Sequence, residues 1–125
     1  GRSAATGGGQ YEISTVSHIG CVCQHEALQY ILGLGIDRIR SHARSLTAKL
    51  YKELPAAGYP SITPAGTESP IISFRLKDAV EAKARLKKAG VVATASGDKN
   101  GGYMRVSVSV FNNSQDVDRL VAALA

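Results

Sequence analysis

The spacing at which apolar residues recur changes along the chain, and this change restricts the folds that the sequence can form. Between residues 37 and 54, apolar side chains recur every three or four positions, which predicts an amphipathic helix. Three later segments, 71–76, 91–96 and 103–111, are instead predicted to be strands. In the last of these, alternation places Met104 and the valines on a buried face. The chain therefore combines helical and strand segments.

Three further helices are predicted from their end signals. The first covers 24–34 and ends at glycines, and Asp37 is expected to cap the long helix that follows. Another begins after Asp78 and ends at Gly90, and the last begins at Asn113 or its neighbour. The order is thus N-terminal helices followed by a β-α-β-β-α unit. We expect an α+β fold whose helices pack on one face of a small, mostly antiparallel sheet.

The length of 125 residues suits one domain with its own core. Residues 1–10, GRSAATGGGQ, are small and glycine-rich, so we expect a flexible lead-in or a cloning remnant. Residues 11–125 are expected to form the folded domain. No signal-peptide pattern and no apolar run of about 20 residues is visible, so we expect a cytoplasmic protein without a membrane partner.

The net charge of +5 raises the question of a nucleic-acid partner. The basic residues are scattered among acidic ones, and no aromatic residues are interleaved with arginine as stacking platforms. A solvated basic surface is therefore the favoured interpretation, and we expect no binding to nucleic acid.

Cys21 and Cys23 form a C-x-C pair flanked by His18 and His25. Zinc would need further ligands at workable spacing, and we expect no metal site. An extended segment would point both thiols the same way, which suits packing in a core. Zinc, a redox pair, and buried or bystander thiols are the alternatives, and the last is favoured.

Arg105 is the most informative polar residue in the sequence. It follows the turn SGDKNGG and stands on the predicted non-core face of the last strand, where its guanidinium could fork onto a carboxylate. The alternative is a solvated strand arginine. The sequence holds no Walker loop, no HExxH and no GxSxG, and it shows no close carboxylate pair.

Four stretches, in matching order and spacing, resemble the C-terminal region of class V aminotransferases. This group of fold-type I pyridoxal-phosphate enzymes includes cysteine desulfurases, selenocysteine lyases and isopenicillin epimerase-like proteins. The stretches are YEIST at 11–15, LGIDRIRSHARSLTAKL at 34–50, SPIISF at 69–74 and MRVSVSVFNNSQDVDRLVAAL at 104–124. The resemblance implies that 11–125 is the C-terminal small domain of a pyridoxal-phosphate-dependent enzyme.

The resemblance also implies roles for individual residues. Arg105 matches the arginine that grips the α-carboxylate of the amino-acid substrate. Thr15, together with Ser14, matches the E-x-[GS]-T element that contacts the cofactor phosphate, often across a dimer. Ser14 stands where the family often has glycine, and a turn residue leading into a helix is the alternative for Thr15.

The family's Schiff-base lysine and the residues that hold the pyridine ring lie upstream of the E-x-[GS]-T element, hence before Gly1. The resemblance therefore implies a missing N-terminal large domain, a homodimeric parent and no catalytic residue in this chain. The seven lysines present are expected to be solvated, so the isolated chain should be inactive.

Cysteine desulfurases carry a nucleophilic cysteine on the loop before this arginine, and SGDKNGG contains none. The resemblance thus implies a transaminase, lyase or epimerase type rather than a typical cysteine desulfurase. The competing hypothesis is a free-standing, ferredoxin-like α+β module that binds or oligomerises without catalysis.

Overall fold

The computed structural model describes Gly7 and residues 15–125. The prediction for 1–10, apart from Gly7, and that for Ser14 therefore lie outside the described residues. The described part forms α1 (His18–Leu34), α2 (Ile36–Ala56), β1 (Ile71–Leu76), α3 (Ala79–Lys88), β2 (Thr94–Asp98), β3 (Gly101–Ser107) and α4 (Ser114–Leu124). This order, helices first and then β-α-β-β-α, confirms the predicted α+β class.

The chain divides into two compact units, Gly1–Ile36 and Asp37–Ala125. The described part of the first unit is dominated by α1. Its N-cap is Ser17, whose side chain accepts a hydrogen bond from the Gly20 N–H at 3.2 Å. The helix therefore starts at His18, earlier than the predicted residue 24, and it ends at Gly35, whose φ of 87° suits glycine.

The second unit contains an antiparallel sheet in the order β1-β3-β2. The central strand β3 ends at Ser107, before the predicted 111: the Val108 N–H still donates to Pro70 O, but proline has no N–H with which to return the bond. The strand β2 begins at Thr94 rather than 91. The Val91 N–H instead donates to Leu86 O and completes the end of α3.

The outer edge of β1 is covered by the segment 60–63. Ser61 forms an isolated antiparallel bridge with Phe74. The Ile62 N–H donates to Ser73 O at 2.8 Å, and the Ser73 N–H donates to the Thr63 hydroxyl at 2.9 Å. This short segment satisfies backbone groups that an exposed edge would leave unpaired.

One hydrophobic core joins α2, α3 and α4 to a single face of the sheet. Phe74 and Met104 are fully buried, and Tyr51 of α2 packs its ring 6.4 Å from that of Phe74. The remaining buried apolar residues are Leu46, Leu50, Leu54, Ile72, Leu76, Ala79, Ala82, Leu86, Val108, Val117, Leu120 and Leu124. The prediction that the helices pack on one face is therefore confirmed.

The helix starts follow the predicted capping chemistry in two of three cases. Asp78 caps α3, and Asn113 caps α4 in a capping box with Asp116. Asp37 does not cap α2, because that helix already begins at Ile36 and places the carboxylate in its first turn. There it forms an ion pair with Arg40 at 3.7 Å.

Candidate functional site

The sheet presents a polar face on the side away from the core. Residues on each strand alternate with the buried ones, so their side chains leave the opposite surface. We call this surface the open face; it consists of Ile71, Ser73, Arg75, Thr94, Ser96, Asp98, Tyr103, Arg105 and Ser107. It carries hydroxyl and guanidinium groups, which can bind anions.

Arg105 lies at the centre of the open face, on the central strand. It pairs with Ser73 on one side and with Thr94 on the other. Because the N–H and C=O of Ser73 are bonded to the outer segment 60–63, the Ser73–Arg105 pair is of the narrow, non-hydrogen-bonded type. Two hydroxyl side chains therefore flank the arginine. No ion pair among residues 15–125 involves Arg105, which leaves its guanidinium available to a ligand.

Arg75 is a second arginine on this surface, and the sequence analysis did not identify it as a site residue. It pairs directly with Tyr103, in the row next to that of Arg105. The alternation of β1 already indicated that Arg75 faces away from the core. Its nearness to Arg105 depends on the strand order, which the sequence pattern did not supply.

The turn before Arg105 is a tight β-hairpin. It connects β2 to β3, and Asp98 Oδ1 accepts a hydrogen bond from the Asn100 N–H at 2.8 Å. A Cβ on Gly102 would lie 2.1 Å from Ser96 O, and one on Gly97 would lie 2.2 Å from Gly101 O. The glycines that precede Arg105 are thus required by close approach of the two backbones.

Thr15 is exposed and belongs to the first unit, two positions before the N-cap Ser17. Arg105 belongs to the second unit. Thr15 and Arg105 are each described only within their own unit. The predicted contact of Thr15 and Ser14 with the cofactor phosphate stays a prediction.

Cys21 and Cys23 lie on α1 and are exposed, so the prediction of an extended segment with buried thiols is wrong, and of the favoured interpretation only bystander thiols remain. Residues two apart on a helix do not share a face, so the two thiols point in different directions. His18, Cys21 and His25 do share a face of the helix, because they are three and four residues apart. Within the described residues, however, no three His, Cys, Asp or Glu side chains are grouped to hold a metal ion.

The seven lysines differ in exposure, which bears on their fit to a covalent cofactor. Six are exposed, and Lys49 is half-buried between α2 and α4. Its Nζ donates to the Ser114 hydroxyl at 2.7 Å and forms ion pairs with Glu53 and Asp118. A covalent attachment site needs a buried, unpaired amine. None of the seven lysines of this chain fits that requirement.

The fold and the open face together define an α+β domain with a basic, hydroxyl-lined sheet surface. The family model described as "Aminotransferase class-V" matches residues 2–120 of the 125-residue chain. The chain therefore belongs to the class V aminotransferase family, of fold type I and generally dependent on pyridoxal phosphate, as the resemblance implied. No curated protein and no solved structure showed significant similarity to it. Across residues 15–125, no helix is both long and apolar enough to cross a bilayer.

Proposed function

We propose that this chain supplies the substrate-carboxylate site of a pyridoxal-phosphate-dependent enzyme that acts on an amino acid. Arg105 binds the α-carboxylate in this proposal, and Thr15 with Ser14 contacts the cofactor phosphate. The parent enzyme is a cytoplasmic homodimer whose larger N-terminal domain adjoins this one. Membership of the class V family supports the enzyme class.

The observation that carries the proposal is the position of Arg105 on the open face. A guanidinium presents five N–H donors in a planar fork, which matches the two oxygens of a carboxylate. The hydroxyls of Ser73 and Thr94 stand on either side and could donate to the remaining lone pairs. Among the described residues no acidic side chain forms an ion pair with this arginine, so a substrate carboxylate meets no internal competitor.

The reaction type follows from what the hairpin carries. Residues 96–102 contain no cysteine, and both cysteines lie on α1 of the first unit. A cysteine nucleophile beside Arg105 is therefore not provided by this hairpin. We propose a transaminase or lyase type rather than a typical cysteine desulfurase.

Pyridoxal phosphate, when bound, supplies an electron sink for the substrate. The lysines of this chain do not fit its covalent attachment. We therefore place the attachment lysine in the larger domain and derive no chemical step through the cofactor. The role proposed for this chain is to bind and orient the substrate.

The proposal is tested by replacing Arg105 with Gln in the full-length protein and titrating L-alanine and ethylamine, which lacks the carboxylate. The bound cofactor's absorbance would report binding. Loss of a charge-assisted contact of about 1.5–3 kcal/mol should weaken L-alanine binding roughly 10- to 150-fold. Binding of ethylamine should not change.

Arg119→Gln is the matched control, because it removes the same charge from the exposed surface of α4. It should leave both ligands unaffected. Equal losses for L-alanine and ethylamine in Arg105→Gln, or no loss for either, would contradict the role of Arg105.

A free-standing binding or oligomerisation module is the second candidate, and the polar, exposed sheet face above a complete hydrophobic core favours it. The two candidates differ in the size of the native protein. An antibody raised against this 13.1 kDa chain should detect a much larger band in source cells if the chain is an enzyme domain. A band at 13.1 kDa would favour the module.

A further inference from the structure

We infer that the open face selects a substrate with two anionic groups, namely an amino acid with an acidic side chain. Arg105 holds the α-carboxylate and Arg75 holds the side-chain anion. This inference rests on the proposed function of Arg105, and it assigns a substrate class to the same site.

The geometry places the two arginines within reach of one small molecule. Arg75 pairs with Tyr103. Two positions away on the same two strands, Ser73 pairs with Arg105, so Arg75 and Arg105 are diagonal neighbours. The Arg75 N–H donates outward to Pro60 O at 2.9 Å, so its pair with Tyr103 is also narrow. Diagonal neighbours of this kind have Cα atoms about 7–8 Å apart, a distance that long side chains span. The two guanidinium groups can therefore bind opposite ends of a short dianion.

The charge pattern of the open face favours two anions over one. Arg40, Arg44 and Arg85 each form an ion pair with an acidic residue. Within residues 15–125, no ion pair involves Arg38, Arg75, Arg105 or Arg119, and of these four only Arg75 and Arg105 share a sheet face.

The nearest acidic side chain by strand register is Asp98, opposite Gly101. One of its oxygens already accepts the Asn100 N–H. Lys77 follows directly after β1 and adds a further positive charge at the same end of the sheet. One carboxylate satisfies one guanidinium fork, so a ligand with a second anionic group can engage Arg75 as well as Arg105.

The test uses the full 125-residue chain labelled with ¹⁵N, with the arginine Nε–H signals as the readout. Glutarate is titrated at constant ionic strength, and pentanoate serves as the matched probe in which one carboxylate is replaced by a methyl group. Glutarate should shift the signals of both Arg75 and Arg105, whereas pentanoate should shift chiefly that of Arg105. An added exposed ion pair should make glutarate bind roughly two- to fivefold more tightly than pentanoate.

Arg75→Gln should reduce glutarate binding to the level of pentanoate and leave pentanoate binding unchanged. Arg75→Lys should restore part of the preference, and Arg119→Gln should change neither ligand. Equal binding of the two probes, or an Arg75→Gln variant that keeps the preference, would overturn the inference while Arg105 still responds. If Arg105 responds to neither probe and Arg105→Gln changes nothing, the proposed function itself fails.

Discussion

The two faces of the sheet are formed by the same strands but differ in burial and polarity. On the core face, Ile72, Phe74 and Leu76 of β1 are at most 1% exposed and pack under the helices. On the open face, Ser73 and Arg75 of the same strand carry the polar groups of the proposed binding site. Because side chains alternate, a single residue step separates the two environments. Stability and binding can therefore be changed independently by substituting adjacent positions.

The largest difference between the faces is expected for the neighbours Phe74 and Arg75. Phe74→Ala should lower the free energy of unfolding by about 3–5 kcal/mol, because it leaves a cavity in the centre of the core. Arg75→Ala should stay within about 0.5 kcal/mol, as is usual for exposed positions. Urea denaturation followed by far-UV circular dichroism measures both, and similar losses would show that the faces are not energetically separate.

The hairpin that leads to Arg105 should be the next most sensitive place. Gly97 has a φ of 126°, and an added Cβ would meet Gly101 O at 2.2 Å. Gly97→Ala should therefore cost about 2–3 kcal/mol through backbone strain and displacement of the hairpin.

Gly66 has a φ of 83° with open space around it, so Gly66→Ala isolates the conformational cost of about 1–2 kcal/mol. The same urea titration compares the two variants. Equal losses would mean that close approach of the strands contributes nothing at Gly97.

Elements with strong local signals could be predicted from the sequence, and others could not. The alternation of 71–76 matched β1, and Asn113 with Asp116 formed the capping box of α4. In contrast, α1 starts at His18 within a glycine- and cysteine-containing stretch of weak helix propensity. The apolar pair Val91 and Val92 favours a strand, but the Val91 N–H donates to Leu86 O at the end of α3, and β2 begins only at Thr94, opposite Arg105.

Of the two arginines in the candidate site, only one could be predicted from the sequence. Arg105 could be identified from its own strand and from the family resemblance. The nearness of Arg75 depends on the pairing of β1 with β3, which joins residues distant in sequence. Strand order and register arise from tertiary packing, so a neighbour contributed by another strand required the structure.

A smaller effect is expected at the outer edge of β1, which belongs to neither face. Thr63→Val keeps the shape of the side chain but removes the hydroxyl that accepts the Ser73 N–H. Loss of this hydrogen bond should cost about 1 kcal/mol in urea denaturation. Thr94→Val is the control, because that exposed hydroxyl forms no hydrogen bond among the described residues, and it should stay within about 0.5 kcal/mol. A neutral Thr63→Val would show that solvent replaces the contact and that the edge does not fix the position of Ser73.

The smallest effect, and opposite in sign, is expected on the open face itself. At a guanidinium separation equal to the Cα separation of about 7–8 Å, two unit charges in water repel each other by about 0.5 kcal/mol, so Arg75→Gln should leave the chain equally stable or more stable by up to that amount. The difference should disappear near 1 M NaCl, where the screening length falls to about 3 Å. Urea denaturation at low and high salt measures both expectations, with Arg119→Gln as the control for a single lost charge. A loss of more than about 1 kcal/mol would instead make Arg75 a structural residue. A gain in stability on removing Arg75 would agree with the proposed binding role, because a bound dianion would relieve the same repulsion.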